Sequence, residues 1–316
     1  MIEGPVVSVI IPTYNRAGII GETIENILQQ TYPNIEVIVV DDGSTDDTIS
    51  ILESYGSRIR WAFQENTGPS AARNHGIAIA KGEIIAFQDS DDTWHPTKIE
   101  RQVSLLRKAG ESVPCCLCNS TVHLPEGRVV RSFENAPVNP PIGEGIWLNV
   151  SEVLSSRFIL FNQAVAIRKN VLERVGGFDE SFRLLEDKEL QLRLSLEGPW
   201  AFIRDPLVTR RQLPSRTLSQ EGTQEMLYEC EVRILEKILR RVDGERRIAC
   251  LRPLMIRELK RARRQLRAAH FKGSRFLGAS VLGRGLELIE HYRMAAYRRT
   301  PWFPKMQVAP LDSQRP

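Results

Sequence analysis

Residues 84–92 read Ile-Ile-Ala-Phe-Gln-Asp-Ser-Asp-Asp, an apolar run that stops abruptly in acid. Such a run, β-prone and bounded by polar residues, predicts a buried strand over Ile84–Gln88 with the acids at its carboxyl end. The same pattern occurs upstream, where a strand expected at Ile35–Val40 runs into Asp41-Asp42-Gly43-Ser44. Further strands are expected at Val6–Ile11 and Arg60–Phe63, with helices over Ile19–Gln30, Asp46–Ser54 and Ser70–Ala80 between them. Strands that alternate with helices in this way build βαβ units, and so an open α/β sheet. Ligands of such sheets bind beyond the carboxyl ends of the strands, which is where both acid clusters fall.

Acids crowded at one place repel one another unless a cation or a ligand's hydroxyls occupy the site. Alternate carboxylates such as Asp89 and Asp91 can reach one hard divalent cation, Mn²⁺ or Mg²⁺, with positions left for water and phosphate. Helix capping accounts for Asp46 and Asp47, with Ser44 or Thr45 placed to cap the second helix. It does not account for four polar residues in a row after a buried strand. No G-x-G-x-x-G follows the first strand and no Walker sequence is present, which speaks against a dinucleotide dehydrogenase or a P-loop enzyme.

Downstream, a helix is expected from Pro96 to Lys108, then a strand over Cys115–Val122 and a Pro- and Gly-rich loop to Gly145 that could close over a ligand. A strand near Gln163–Ile167, a helix over Lys169–Val175 and a helical stretch Glu186–Leu196 follow. Beyond Gln220 the pattern is helical throughout, and the polar stretch around Arg216–Gln220 marks a boundary. Two regions are therefore expected, 1–217 and 218–316.

Four blocks, VSVIIPTYNR, VVDDGSTDDT, GPSAARNHGIAIAKGEIIAFQDSDD and GGFDESFRLLEDKELQLRLSLEG, resemble in order and spacing the family 2 inverting glycosyltransferases. The resemblance spans about Val6 to Val208. It implies the GT-A fold, a Rossmann-like mixed α/β sheet for nucleotide-diphospho-sugar transferases, here with a helical C-terminal appendage. It implies that Pro12, Thr13 and Tyr14 line the nucleobase pocket, that Asp42 hydrogen-bonds the base, and that Asp41 supports its loop. Arg73 and Asn74 would contact the nucleoside or donor sugar, with Asp89 near the ribose and Asp91 on the metal. Asp92 would orient that shell or the donor sugar, and Asp187, beside Glu186, would be the catalytic base. Inverting transfer needs such a base to take the proton of the attacking hydroxyl. The implied partners are a nucleoside-diphosphate sugar, UDP-linked by preference, and a glycan or lipid-linked acceptor. Processive synthases carry a Q-x-x-R-W signature that this chain lacks, so addition of a single sugar is expected. Rival readings are a nucleotidyltransferase of related architecture and a non-catalytic nucleotide-sugar-binding protein.

Composition fits an ordinary globular chain, with 316 residues, 42% hydrophobic and 26% charged. The formal net charge of +4 conceals about −7 up to Ser215 and about +11 beyond it. The start lacks a signal-peptide pattern and no apolar run approaches a membrane span, so a cytoplasmic protein is expected. Cys115 and Cys118 form a C-x-x-C without a second pair, better read as buried free thiols than as a metal site. His75 and His95 flank the motifs, and Trp94, Trp147 and Phe178 are candidates either for sugar stacking or for the core. Among Arg210, Arg211 and Arg216, one could meet a diphosphate. In the basic region, Met255, Leu259, Ala262, Leu266 and Ala269 fall on one helical stripe opposite several arginines. Two readings stand for that stripe, packing on the catalytic domain or a partner, and peripheral contact with anionic lipid. Nucleic-acid binding is not expected, for want of a recognisable module.

Overall fold

The computed structural model describes residues 4–124, 127–136, 138–156, 161–210, 224–242 and 306–311. Its chain divides into two compact units, one of 1–150, 157–222 and 306–316, the other of 151–156 and 223–305.

In the first unit the strands are β1 (Val7–Thr13), β2 (Ile35–Asp41), β3 (Arg60–Phe63), β4 (Ile84–Phe87), β5 (Thr93–Trp94) and β6 (Cys115–His123). They continue with β7 (Val129–Arg131), β8 (Glu144–Trp147), β9 (Val165–Arg168), β10 (Trp200–Arg210) and β11 (Val308–Ala309). The helices are α1 (Ile20–Leu28), α2 (Thr48–Ser54), α3 (Pro69–Ile79), α4 (Lys98–Ala109), α5 (Ser132–Asn135), α6 (Val150–Ser156), whose residues 151–156 belong to the other unit, α7 (Lys169–Val175) and α8 (Glu186–Leu194). One sheet joins the strands in the order β11-β8-β10-β6-β9-β4-β1-β2-β3, with β5 on β10 and β7 on β6. β1, β2, β3 and β4 pair parallel, whereas β9 runs antiparallel to both β4 and β6. The sheet is thus mixed, as the GT-A resemblance implies.

The chain passes from β1 to β2 on one side and later enters β4 on the other, so the crevice at the carboxyl ends of β1 and β4 is a topological switch point. Parallel strands covered on both faces need continuous apolar runs. Val9, Ile10 and Ile11 of β1, and Ile85, Ala86 and Phe87 of β4, are accordingly inaccessible to solvent. α3 lies so close to β1 that a Cβ on Gly76 would stand 2.4 Å from Ile10 Cγ2, so only glycine allows that approach.

Several expectations need correction. Neither Ser44 nor Thr45 caps α2. The Ser44 hydroxyl accepts the Asn15 N–H at 2.8 Å, Thr45 N–H donates to Asn15 Oδ1 at 2.8 Å, and Asp46 Oδ1 takes the Thr48 N–H at 3.0 Å. These bonds tie the β1–α1 loop to the β2–α2 loop, and Asn15 adopts a left-handed φ of 51° to make them. The expected loop up to Gly145 contains β7 and α5, anchored by Asn119 Oδ1, which accepts from Ser120 N, Ser132 Oγ and Phe133 N. The expected second region, 218–316, loses its last residues, because Val308 and Ala309 pair with Trp147 and Ile146 of β8 and so belong to the first unit.

Trp94, Trp147 and Phe178 are core residues, each no more than 3% exposed. Cys115, Cys116 and Cys118 are buried and free, and burial pushes all three thiols upward, Cys118 to about 11. Cys115 and Cys118 are three apart on a strand, so they face opposite sides of the sheet and cannot share a metal.

In the second unit, α9 (Gln224–Leu239) buries Ile234, Leu235 and Ile238. The basic stripe from Met255 to Ala269, together with Arg211 and Arg216, lies outside the described residues.

Candidate active site

The β1 and β2 ends meet in register, Thr13 beside Asp41. Asp41 is inaccessible and its Oδ1 accepts the Ser44 N–H at 2.9 Å, holding the turn at Gly43, whose φ of 82° suits glycine. Asp42 is also buried. Its Oδ1 accepts from Gln64 Nε2 at 2.8 Å and Thr67 N at 2.9 Å, and its Oδ2 from Gly68 N at 2.8 Å. Asp42 therefore builds the β3–α3 loop, and any bond to a base would be additional to these three. Gln64, which no motif singled out, links Asp42 to His75 through a 3.1 Å contact with His75 Nδ1. Tyr14, directly after β1, is 45% exposed.

β4 delivers Asp89 and Asp91 to partly exposed positions in an acidic turn. Arg73 of α3, 5% exposed, is the keystone of the site. Its Nη2 donates to Asp89 Oδ1 at 2.9 Å, its Nη1 to Glu186 Oε1 at 3.1 Å, and its guanidinium stands 5.3 Å above the Phe178 ring. Burial opposes its charge, but Asp89 and then Glu186 outweigh that and raise its proton affinity. One arginine on α3 thus joins the end of β4 to the start of α8, with Arg73 and Glu186 113 residues apart in sequence.

α8 starts from Leu185, a non-glycine residue at a left-handed φ of 61°. Left-handed backbone is costly for a branched side chain, and the following two residues are the acid pair Glu186 and Asp187. Asp187 Oδ1 accepts the Lys188 N–H at 2.7 Å. Burial, followed by the neighbouring Glu186 charge, lifts the Asp187 carboxyl to about 7. A carboxylate so raised can take a proton near neutrality. Asp91 is also raised, by burial and then by Asp89, against the opposing charges of Arg16 and Arg210. Arg210 ends β10 with its guanidinium 4.5 Å from the Phe161 ring centroid.

Two of the expected site residues make hydrogen bonds within the chain. Asn74 spends its amide on the chain, accepting from Phe178 N at 2.8 Å and donating to Phe178 O at 3.0 Å and Glu180 Oε1 at 2.8 Å. Asp92, 2% exposed, accepts from the Gln163 amide. His75 and His95 are each turned to a neighbour, Gln64 and Thr97. Sequence reasoning also missed the buried pair Glu189–Arg193, 2.5 Å apart. Its signal was a helix with Glu and Arg at i and i+4 on a face too polar for an ordinary core helix.

Among the described residues no three His, Cys, Asp or Glu side chains converge on one point that could hold a metal. The donor set is nevertheless compatible with a hard divalent cation of the kind that keeps most of its water. Asp91, with Asp89 beside it, offers the one or two carboxylates such an ion takes from protein while phosphate oxygens supply the rest.

A mixed sheet with acids at this switch point defines the GT-A class of sugar-nucleotide transferases. The chain belongs to glycosyl transferase family 2, whose family model matches residues 8–168, and it is a glycosyltransferase. An uncharacterised glycosyltransferase of Rickettsia typhi is 32% identical over 225 residues, covering 71% of this chain and 70% of the relative. A putative teichuronic acid biosynthesis glycosyltransferase of Bacillus subtilis, TuaG, is 42% identical over 106 residues, 32% of this chain and 42% of the relative. Among solved structures, S. aureus TarS 1–349 in complex with UDP-GlcNAc superposes with a TM-score of 0.64 at 22% identity, covering 87% of this chain and 75% of that one. The mannosyltransferase PcManGT from Pyrobaculum calidifontis, in complex with GDP-Man and Mn²⁺, has a TM-score of 0.56 at 25% identity, covering 95% and 82%.

Proposed function

We propose that this glycosyltransferase moves a single sugar, with inversion, from a nucleoside-diphosphate sugar to a hydroxyl of a glycan or lipid-linked acceptor. The observation that carries the reading is Asp187. Its carboxyl is raised to about 7, sits at the start of α8, and is linked through Glu186 and Arg73 to Asp89 at the end of β4. In-line displacement needs a base on one side of the anomeric carbon and the departing diphosphate on the other. Asp187 takes the acceptor proton, while Arg73 pairs with Glu186 and Asp89 and holds them in place. Tyr14 stacks on the base, with Pro12 and Thr13 as the floor of its pocket and Asp42, on the Asp41 turn, holding the loop around it. Asp89 faces the ribose and Asp91, beside it, would hold Mn²⁺ or Mg²⁺. When bound, such an ion neutralises the leaving diphosphate and removes the need for a general acid.

A UDP-sugar is favoured as donor, because the TarS structure holds UDP-GlcNAc; the GDP-Man of PcManGT marks the alternative. Surface-polysaccharide assembly is consistent with the likeness to TuaG. No helix among the described residues is long and apolar enough to cross a membrane. A cytoplasmic enzyme that touches the membrane through its basic C-terminal region would reach a lipid-linked acceptor.

The test is calorimetric titration of UDP-GlcNAc, UDP-glucose and GDP-mannose in Mn²⁺, followed by measurement of nucleotide release from each. Binding of one, with release that depends on Mn²⁺, is the expected result. Failure of all three to bind would overturn the donor class, and release indifferent to a chelator would remove the metal from the reading.

A further inference from the structure

The sequence blocks around the site interlock in a way that their separate roles do not explain. From α3, the Asn74 amide grips both the N–H and the carbonyl of Phe178. From α8, Arg193 donates to the carbonyls of Val175 and Gly177, each at 2.6 Å, with Glu189 one turn earlier balancing its charge. Between these two grips the Phe178 ring packs edge-on against Phe87 at 5.2 Å and forms the seat under the Arg73 guanidinium. Gly177 is the fitted part. Its φ is 63°, and a Cβ there would come within 2.6 Å of Asn74 Oδ1, so no side chain is compatible with the grip. Both grips thus reach the same short stretch, Arg193 at Val175 and Gly177 and Asn74 at Phe178.

We infer that Asn74 and Arg193 are positioning residues. By fixing the backbone of Gly177 and Phe178 from opposite sides they seat Arg73, and through Arg73 and the start of α8 they hold Asp187 in reach of the acceptor hydroxyl, without touching the donor. The inference rests on the reading of Asp187 as the base. Stability alone does not call for this construction, because a buried ion pair such as Glu189–Arg193 gives little over apolar residues of the same volume. What the guanidinium fork adds is direction, since it engages two carbonyls of one loop at once while paired with its own helix. A support of this kind matters because a reacting group displaced by about 1 Å can lose about a hundredfold in rate.

The test uses the full chain with Mn²⁺ and whichever of UDP-GlcNAc, UDP-glucose and GDP-mannose the parent turns over. Asn74→Asp keeps the acceptor for the Phe178 N–H but loses both amide donors, and Arg193→Lys keeps the charge but loses the fork. In each, kcat for nucleotide release should fall about tenfold to a hundredfold, while KM for the donor and Kd for the nucleoside diphosphate stay within about twofold. The double change Glu189→Met with Arg193→Met removes the buried charges and refills the space. It should show the same loss in kcat at an undiminished melting temperature. Full activity in that double variant would make the pair mere packing and overturn the inference. A raised donor KM at unchanged kcat in Asn74→Asp would make Asn74 a donor contact and overturn it as well. If the parent releases no nucleotide from any donor, the proposed transfer fails and takes this inference with it. If the parent is active and the variants match it, only the positioning falls.

Discussion

At the scale of single residues, the site turns on one shared cation among several acids. Arg73 pairs with Asp89 and Glu186 directly, while at Asp187 burial and then the Glu186 charge outweigh the Lys188 N–H and Arg73 and lift the carboxyl to about 7. The sign of the resulting pH dependence follows. A general base must be unprotonated, so kcat/KM should fall as pH drops through about 7, with a slope of one proton. Asp187→Asn removes the base and should lower kcat by about 10²- to 10⁴-fold. Calorimetry should find nucleoside-diphosphate affinity nearly unchanged in that variant. Lost affinity would move Asp187 from the acceptor side of the cleft to the donor side. The acids were legible because helix capping does not account for four polar residues in a row after a buried strand. The actual bonds of Asn74 and Asp92 were not, because a motif gives a residue's address and not the direction of its side chain. Both turn toward partners far along the chain, Phe178 and Gln163, that only the fold brings near.

At the scale of elements, the alternation of apolar runs and helices placed β1 to β4 and α1 to α4 within a residue or two, because each buries a face its own sequence declares. Besides β8, β10 and α6, which were not expected either, β5, β7, β11 and α5 escaped notice for the opposite reason. They are short and owe their existence to partners, β7 and α5 to Asn119 and β6, β11 to the edge of β8. α4 holds a surprise of another kind. Lys98 is fully buried, with its ammonium 3.6 Å from the centre of the Trp94 ring and 2.9 Å from Gln102 Oε1. Burial drives it from an ordinary 10.5 down to about 8. Between those values the unfolded chain binds more protons than the folded one, so this residue makes stability rise with pH across that window. Its penalty is complete below about 8 and gone above 10.5. Lys98→Met should therefore flatten the pH dependence of the melting temperature between those two values. Parallel curves for parent and variant would show that Lys98 stays charged through cation–π contact with Trp94.

At the scale of the whole molecule, the asymmetry of charge in the sequence resolves into two units, and the acidic one carries the site. The chain does not end in the basic unit, however. Residues 306–311 return to the first unit, where Val308 and Ala309 pair antiparallel with Trp147 and Ile146. Leu148 N–H donates to Gln307 O at 2.8 Å, and Gln307 N–H to Asn149 Oδ1 at 2.8 Å. Asn149 also accepts from Trp147 Nε1 at 3.1 Å, so the returning segment is locked to a residue that orients a core tryptophan. Gly145 leaves room for it, since a Cβ there would stand 2.9 Å from Ala309 O. Without this segment β8 becomes the sheet's edge, with backbone groups free to pair with another chain. A chain ending at Lys305 should accordingly melt a few degrees lower, about 2–4 °C for each kcal/mol lost in a protein of this size. It should also associate in a concentration-dependent way in sedimentation, and adding Ala309→Pro in place of the truncation should reproduce both effects in part, because proline removes an edge-strand donor. A truncated chain that stays monomeric and melts like the parent would mean that β8 needs no cover.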